Sequence, residues 1–329
     1  MLTRRIARRI IPRGRTGTAH HHHHHHHQNH RLPRATTRHL HLHRVHLPSQ
    51  HPTYTPYALA TSLQESLAAP HHAYKAAPET ADGARDLAPP QPSLLSFTPA
   101  PTYTLGRRQR TLDGEVEGAL TAPLRVSSPT EWSSSSSEGG NDDPGSGRGS
   151  QITLTPFVTH SPRGGLTTYH GPGQLVLWPT LDLRSPLHPH LTVRSYARLL
   201  EDTTSHLLRT LYGIEAVLDP ENPGVWARRP AGGSEIRKIA AMGIHLRRHV
   251  ATLGIALNLT TPVSGAGDVN PWARFVPCGI EGREVTSVEA EGGEGRRGEF
   301  GGRGLLEGEV VAGLWADEFV RRLERGDGE

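Results

Sequence analysis

One cysteine, Cys278, stands in the 329-residue chain, within Phe275-Val-Pro-Cys-Gly-Ile280. A lone cysteine closes no internal disulfide, so packing or reactivity must account for it. Most single cysteines are small core residues; the Pro-Cys-Gly setting marks this one as a candidate nucleophile. It would act as the thiolate, whose formation at neutral pH is limited by a free thiol pKa of about 8.5, so it needs an activating neighbour. Far upstream lies a dense glycine run, Arg163-Gly-Gly-Leu-Thr-Thr-Tyr-His-Gly-Pro-Gly-Gln174. Residues without a side chain let main chain approach a ligand closely, and Gly164, Gly165, Gly171 and Gly173 exceed the needs of one turn. His170 in the same run reads equally as pocket lining or as a proton carrier, and Arg163 as the partner of a structural ion pair or as part of the pocket wall. Together these residues predict a site that holds a chain-like substrate against a thiol.

The elements that must position them follow from periodicity. Leu40, Leu42, Val45 and Leu47 predict a first strand, and Ala58, Leu59, Leu63 and Leu67 one face of a helix over about 55–69. A Pro- and Ala-rich loop is expected over 75–92, then a short strand at Leu94–Phe97. Strands are predicted over 152–158 and 174–178, on either side of the glycine run. Val193, Tyr196, Ala197, Leu200, Leu207, Leu208 and Leu211 recur at helical spacing and stop before Gly213, which predicts one long amphipathic helix. Residues 238–244 and 254–259 read as a β-hairpin, and Val311, Trp315, Phe319 and Leu323 as the buried stripe of a terminal helix. Strands mixed with helices, without regular βα alternation, predict an α+β fold: a single domain over 40–329 with a mixed, largely antiparallel sheet flanked by helices. The Ser-, Gly- and acid-rich stretches at about 113–150 and 289–308 are expected to be unstructured insertions.

The formal charge of +4 hides a strong asymmetry, because no Asp or Glu precedes Glu65 while arginine recurs through the first 44 residues. With Leu2, Ile6 and Ile10 on one side of a helix, this is the pattern of a mitochondrial transit peptide; the alternative is a basic tail that binds nucleic acid. The eight histidines at 20–27 continue into a His-rich tract. Such a homopolymer lacks the fixed geometry and oriented outer partners of a catalytic metal site. Residues 1–39 are therefore expected to be a transit peptide plus low-complexity tract. No apolar run suits a secretory signal or a membrane span.

Four segments in this order resemble the lipoyl(octanoyl) transferase family: Pro101-Thr-Tyr-Thr-Leu-Gly106, the run from Arg163 to Gln174, Gly224-Val-Trp226 with Lys238-Ile-Ala-Ala-Met-Gly243, and Pro277-Cys-Gly-Ile280 with Val285-Thr-Ser287. The resemblance covers about 94–110 and 152–288, with weaker matches at both ends. It implies a fold similar to the catalytic domain of biotin and lipoate protein ligases. It also implies octanoyl transfer from octanoyl-acyl carrier protein to a lysine of lipoyl domains through an acyl-cysteine thioester, the first step of protein lipoylation. The catalytic pair would be Cys278 and Lys238, and Lys238 would take the thiol proton or favour the thiolate as a cation. Backbone N–H groups around both residues would hold the oxyanion. The acyl group would be held by Arg163, Gly164, Gly165, Leu166, Thr167, Thr168, Tyr169 and His170, by Ala241, Met242 and Gly243, and by Gly254, Ile255 and Ala256.

No cofactor and no metal is implied. The expected partners are octanoyl-acyl carrier protein as donor, with the lipoyl domains of 2-oxoacid dehydrogenase E2 subunits and the glycine cleavage H protein as acceptors. Neither nucleic acid nor membrane is expected, and the chain is expected to be a monomer in the mitochondrial matrix. Acidic partner surfaces would be steered by Arg237, Arg247 and Arg248. Where the family carries a histidine before Gly254, this chain has Leu253, and His249 is the candidate replacement. The competing readings are an ATP-dependent lipoate or biotin ligase and a silent binder of acyl carrier protein or lipoyl domains.

Overall fold

The computed structural model describes residues 40–48, 54–79, 85–109, 111–127, 151–228, 235–276, 283–296 and 307–326. The expected transit peptide and His-rich tract, Cys278, and 128–150 and 297–306 of the two expected insertions lie outside the described residues. In chain order the elements begin with β1 (His43–Leu47), α1 (Tyr57–Ala76), β2 (Ser93–Phe97), β3 (Thr102–Leu105), α2 (Gly114–Thr121), β4 (Leu124–Ser127), β5 (Gln151–Leu154) and β6 (Phe157–His160). They continue with β7 (Thr168–His170), β8 (Gln174–Asp182), α3 (Val193–Tyr212), β9 (Ala216–Leu218), β10 (Gly224–Arg228), β11 (Ile236–Arg247), β12 (Val250–Asn258), α4 (Val288–Arg296) and α5 (Gly308–Arg325).

A seven-stranded sheet in the order β1-β2-β8-β12-β11-β10-β9 forms the frame. Its pairs are antiparallel except β1 with β2, and helices flank it, as the α+β expectation has it. Strand β8 is buried along its whole length because both faces are covered. Leu175, Leu177 and Leu181 point into the larger core against α3 and α5, built with Tyr196, Leu200, Leu207, Trp315 and Phe319. Val176 and Trp178 point the opposite way, into a smaller core beneath Tyr57 and Ala60 of α1. That α1 face, on β8, β12 and β11, carries the candidate site. A second sheet, β6-β3-β7, abuts it. Its core packs Tyr103 against Tyr169, with ring centroids 5.2 Å apart, and Tyr169 against Trp272 at 5.6 Å.

Local chemistry explains the helix ends. Thr192 and Ser195 form a reciprocal capping box at the start of α3, and Gly213, at φ 61°, takes the left-handed position that closes it. Helix α1 outlasts its expected end at about residue 69 and runs through Pro70 to Ala76, so the expected loop starts later than residue 75. A proline deletes one helical hydrogen bond. The buried face of Tyr57, Ala60, Gln64, Ala68 and His71 nonetheless keeps the helix on the sheet beyond that point. The expected strand over 152–158 is two strands, β5 and β6, parted at Pro156 and assigned to different sheets.

The first expected insertion is structured at its start. Asp113 caps α2 by accepting from Val116 N at 2.8 Å, and β4 pairs with β5. Likewise α4 occupies the start of the second. Composition concealed these short elements because their stability comes from docking, as with the completely buried Leu120 of α2.

The interface of α3 with α5 depends on Trp315, which is stacked on Phe319 at 5.0 Å and donates from Nε1 to Thr204 Oγ1 at 3.0 Å. Trp315→Ala is expected to cost about 3–5 kcal/mol in urea unfolding. Trp315→Phe is expected to cost about 1 kcal/mol, since Thr204 Oγ1 keeps its bond to Leu200 O. Equal losses in the two variants would refute this account of the interface.

Candidate active site

A cleft opens on the α1 face of the sheet. One wall is the β11–β12 hairpin, through Ala241, Met242, Gly243, Leu253, Gly254, Ile255 and Ala256. The other is built by Arg163, Thr168 and His170, with Tyr57 and Trp178 beside them. The hairpin register pairs Ala241 with Ala256, Met242 with Ile255 and Gly243 with Gly254, which brings together two segments distant in sequence. A methyl group on Gly243 would lie 2.8 Å from Arg163 Cδ, and one on Gly254 2.3 Å from Leu177 O, so glycine is required at both positions.

Not every residue of the glycine run lines the cleft. Gly164, Gly165, Leu166 and Thr167 form a turn clasped to the end of β3. A methyl group on Gly106 would meet Gly165 O at 2.3 Å, Arg107 N donates to Arg163 O at 3.0 Å, and Thr167 Oγ1 donates to Gln109 Oε1 at 2.7 Å. Strand alternation then directs Thr168 and His170 into the cleft and Tyr169 into the aromatic core. Arg163 is buried, and its Nη2 donates to Thr104 O at 2.7 Å and to Thr104 Oγ1 at 2.9 Å. Its guanidinium therefore braces the turn through neutral oxygens while its charge faces the cleft.

His170 is buried and stacks on Tyr57 at 5.4 Å. Burial, reinforced by the Arg163 charge, holds its pKa down at about 4 against the hydrogen bond with Gln174, so the imidazole is neutral at pH 7. Its tautomer follows from a chain of amides. Thr286 O can only accept, and takes Asn258 Nδ2 at 2.9 Å; Asn258 Oδ1 takes Gln174 Nε2 at 2.9 Å. Gln174 Oε1 therefore faces His170 Nδ1 at 3.0 Å, and Nδ1 carries the proton. His170 Nε2 is left as a hydrogen-bond acceptor.

The other end of that chain reaches Lys238. Thr286 N donates to Lys238 O, and Lys238 N donates to Glu284 O, each at 2.9 Å. The Lys238 amide hydrogen is thus committed to Glu284 O. Lys238 itself is buried, with Nζ 5.0 Å from the centre of the Trp226 ring, and the Arg283 guanidinium lies 5.4 Å from the same ring. A β-bulge places it there. Val225 pairs with Ala240 and Trp226 with Lys238, which leaves Ile239 as the extra residue. Ile239 and Ala240 both pack into the α3 core, so Lys238 shares the face of Ala241 and Gly243. Without the bulge, an odd separation would set Lys238 and Ala241 on opposite faces.

Lys238 does not line the cleft; it lies beyond one end of it. Cys278 lies in 277–282, outside the described residues, while both flanks of that segment are placed. Upstream, Phe275 packs on Tyr103 at 5.5 Å. Downstream, Val285 bridges to Lys238.

Sequence reasoning missed Tyr57 and Trp178. Tyr57 falls at a helix start, and only the alternation of β8 could have flagged Trp178. His249 does not replace the absent histidine: it is exposed at the hairpin turn, at φ 66°, away from the cleft. Arg237 is not a free surface cation, because it is paired with Glu291 at 2.7 Å. Among the described residues no cluster could hold a metal ion, and no helix is long and apolar enough to cross a membrane.

Residues 156–298 match the lipoyl protein ligase A/B catalytic domain. The "Probable octanoyltransferase" of Schizosaccharomyces pombe is 31% identical over 204 residues, covering 62% of this chain and 70% of that protein. The octanoyltransferase of Acidobacterium capsulatum is 42% identical over 135 residues, covering 39% of this chain and 51% of its own. The chain belongs to the octanoyltransferase family, and it matches about half the length of that bacterial relative. Among solved structures, a lipoate-protein ligase A bound with ATP aligns over 86% of this chain and 85% of its own at 14% identity, with a TM-score of 0.44.

A folded-state pKa below that of free histidine means that the unfolded chain binds the extra proton. The stability that neutral His170 contributes is therefore complete above about pH 6.5 and is lost as pH falls toward 4, on the order of 3 kcal/mol for a fully buried imidazole. His71, also held down at about 4 by burial, adds in the same direction. The Tm is expected to drop between pH 6.5 and 4.5, and to drop less in His170→Asn, which keeps a donor toward Gln174. Parallel pH profiles for the two proteins would show that His170 is not held neutral.

Proposed function

We propose that the protein transfers an octanoyl group from octanoyl-acyl carrier protein to a lysine of lipoyl domains through an acyl-Cys278 thioester. The observation that carries this reading is the bulge in β11. It sets a buried lysine on the face of an apolar cleft, beyond one end, and the backbone of that lysine is bonded on both sides to the segment that follows Cys278. The acyl chain lies in the cleft, where each buried methylene contributes about 0.8 kcal/mol.

Lys238 Nζ takes the thiol proton, or stabilises the thiolate as a cation, and the Cys278 sulfur attacks the donor thioester carbonyl. The new C–S bond forms as the carrier's C–S bond breaks, and the carrier leaves as a thiol after receiving the proton. One thioester replaces another, so ATP has no role. The lysine amine of the acceptor then attacks the acyl-cysteine, the proton it loses passes to Lys238, and Cys278 departs as thiolate. An amide is more stable than a thioester, which drives this half downhill. His170 Nε2, a fixed acceptor at the cleft wall, orients groups of the incoming substrate.

The acceptors are the lipoyl domains of 2-oxoacid dehydrogenase E2 subunits and the glycine cleavage H protein. The protein works as a monomer in the mitochondrial matrix, a location supported by the Arg-rich, acid-free segment at 1–39. Arg247 and Arg248, both exposed at the hairpin tip, steer acidic partners, so association rates fall as salt rises.

Intact-protein mass spectrometry after incubation with octanoyl-acyl carrier protein tests the chemistry. A single hydroxylamine-labile octanoyl adduct is expected on the wild type, none on Cys278→Ser, and formation slowed about 10²-fold or more in Lys238→Ala. Octanoylation of a lipoyl domain by Cys278→Ala, given ATP and free octanoate, would overturn this reading in favour of a ligase.

A further inference from the structure

Leu253 has φ of 64° in the middle of β12, a conformation that a leucine adopts only where its surroundings impose it. Its side chain is on the unexpected face. Alternation along β12 sends Ala251, Ile255 and Leu257 into the α3 core, and Leu253 would follow them, as does its cross-strand partner Ile244. It packs instead with Tyr57, Trp178 and Ala256 in the opposite core and lines the cleft. No residue is inserted to cause this: the pairing with β8 keeps one register from Ala251↔Leu181 to Ile255↔Leu177. The left-handed backbone alone turns the side chain across the sheet.

Two neighbours impose that backbone. By the same register Leu253 lies opposite Pro179, which has no N–H to offer β12. The Gln64 side chain from α1 enters the gap, accepting from Leu253 N at 3.1 Å and donating to Thr180 Oγ1 at 3.3 Å and Pro179 O at 3.5 Å. A side-chain amide thus takes the place of main-chain pairing.

Leu253 also sits at a particular end of the cleft. Lys238 Nζ leans along β11 toward Gly224, 3.5 Å from where a methyl group there would lie, and Gly224 pairs with Ala241. Gly243, which pairs with Gly254, is two residues further, roughly 7 Å along the strand and within reach of an eight-carbon chain. An acyl chain whose carbonyl is near Lys238 runs past Ala241 and Gly243 and presents its methyl end to Leu253.

We propose that Leu253 is the specificity-determining residue that limits acyl length, with Gln64 as the positioning residue that holds it across the cleft. The inference rests on the reading of the cleft as the acyl site. The test compares kcat/KM for hexanoyl-, octanoyl- and dodecanoyl-acyl carrier protein in wild type and Leu253→Gly, with Tm measured alongside. Glycine accepts the left-handed backbone and removes the side chain. The dodecanoyl-to-octanoyl ratio is expected to rise at least tenfold, with a lower Tm, because the loss of a buried leucine outweighs the relief of backbone strain. Leu253→Met, which keeps most of the buried volume on a more flexible side chain, serves if the glycine variant does not fold, with a smaller shift in the same direction. An unchanged ratio in a folded variant, with octanoyl transfer intact in the wild type, would overturn the role of Leu253. Failure of the wild type to accept any acyl chain would instead overturn the function from which it follows.

Discussion

A β-strand has two faces and its side chains alternate between them, and in the β11–β12 pair that rule conflicts with what the site needs. One face must fill the core against α3 and α5, while the other must offer a lysine and a shaped apolar wall to a cleft. The strands meet both demands by breaking alternation twice. The extra residue Ile239 brings Lys238 onto the face of Ala241 and Gly243, and the left-handed backbone at Leu253 carries a leucine from the core side to the cleft side. Each irregularity costs free energy, about 1–3 kcal/mol for a leucine held at positive φ. The sheet tolerates them because β8 and β10 hold the pair in register on either side.

Polar groups behind the cleft are joined rather than scattered. From Lys238 O the bonds run through Thr286, Asn258 and Gln174 to His170, which ties the main chain of the lysine to the tautomer of the histidine. Every amide in the chain has one workable orientation, because the carbonyl at its start can only accept. Burial supplies the other half of the effect: with little water near His170 and a guanidinium beside it, the charged imidazole is disfavoured. The site therefore holds its hydrogen-bonding pattern without a protonated histidine, and Arg163 supplies a fixed positive charge beside it.

How much of this was legible in the chain depended on the range of the physics. The long helix from Val193 to Tyr212 could be read because its periodicity and its closing Gly213 are local. The hairpin could be read as a hairpin, and the cleft residues Arg163, Thr168, His170, Ala241–Gly243 and Gly254–Ala256 came through the family resemblance. The end of α1 was not legible, since Pro70 ordinarily marks a boundary and only docking on the sheet carries the helix past it. Helices α2 and α4 were concealed in composition typical of disorder. The division of 152–158 between two sheets depended on partners at two separations, β4 at 24 to 30 residues for β5 and β3 at 55 for β6.

The amino-acid sequence by itself determined the α+β class, the long amphipathic helices, the glycine turn and the candidates for reactive residues. These follow from residue type, spacing and local periodicity, which survive in one dimension. Tertiary structure decided which members of those motifs face the cleft: that Gly164 to Thr167 are scaffold while Thr168 and His170 are wall, that Tyr57 and Trp178 join them, and that Leu253 crosses the sheet. The reason is physical. Side-chain direction at a bulge or a left-handed residue, and the protonation of a buried histidine, are set by neighbours that only folding brings together.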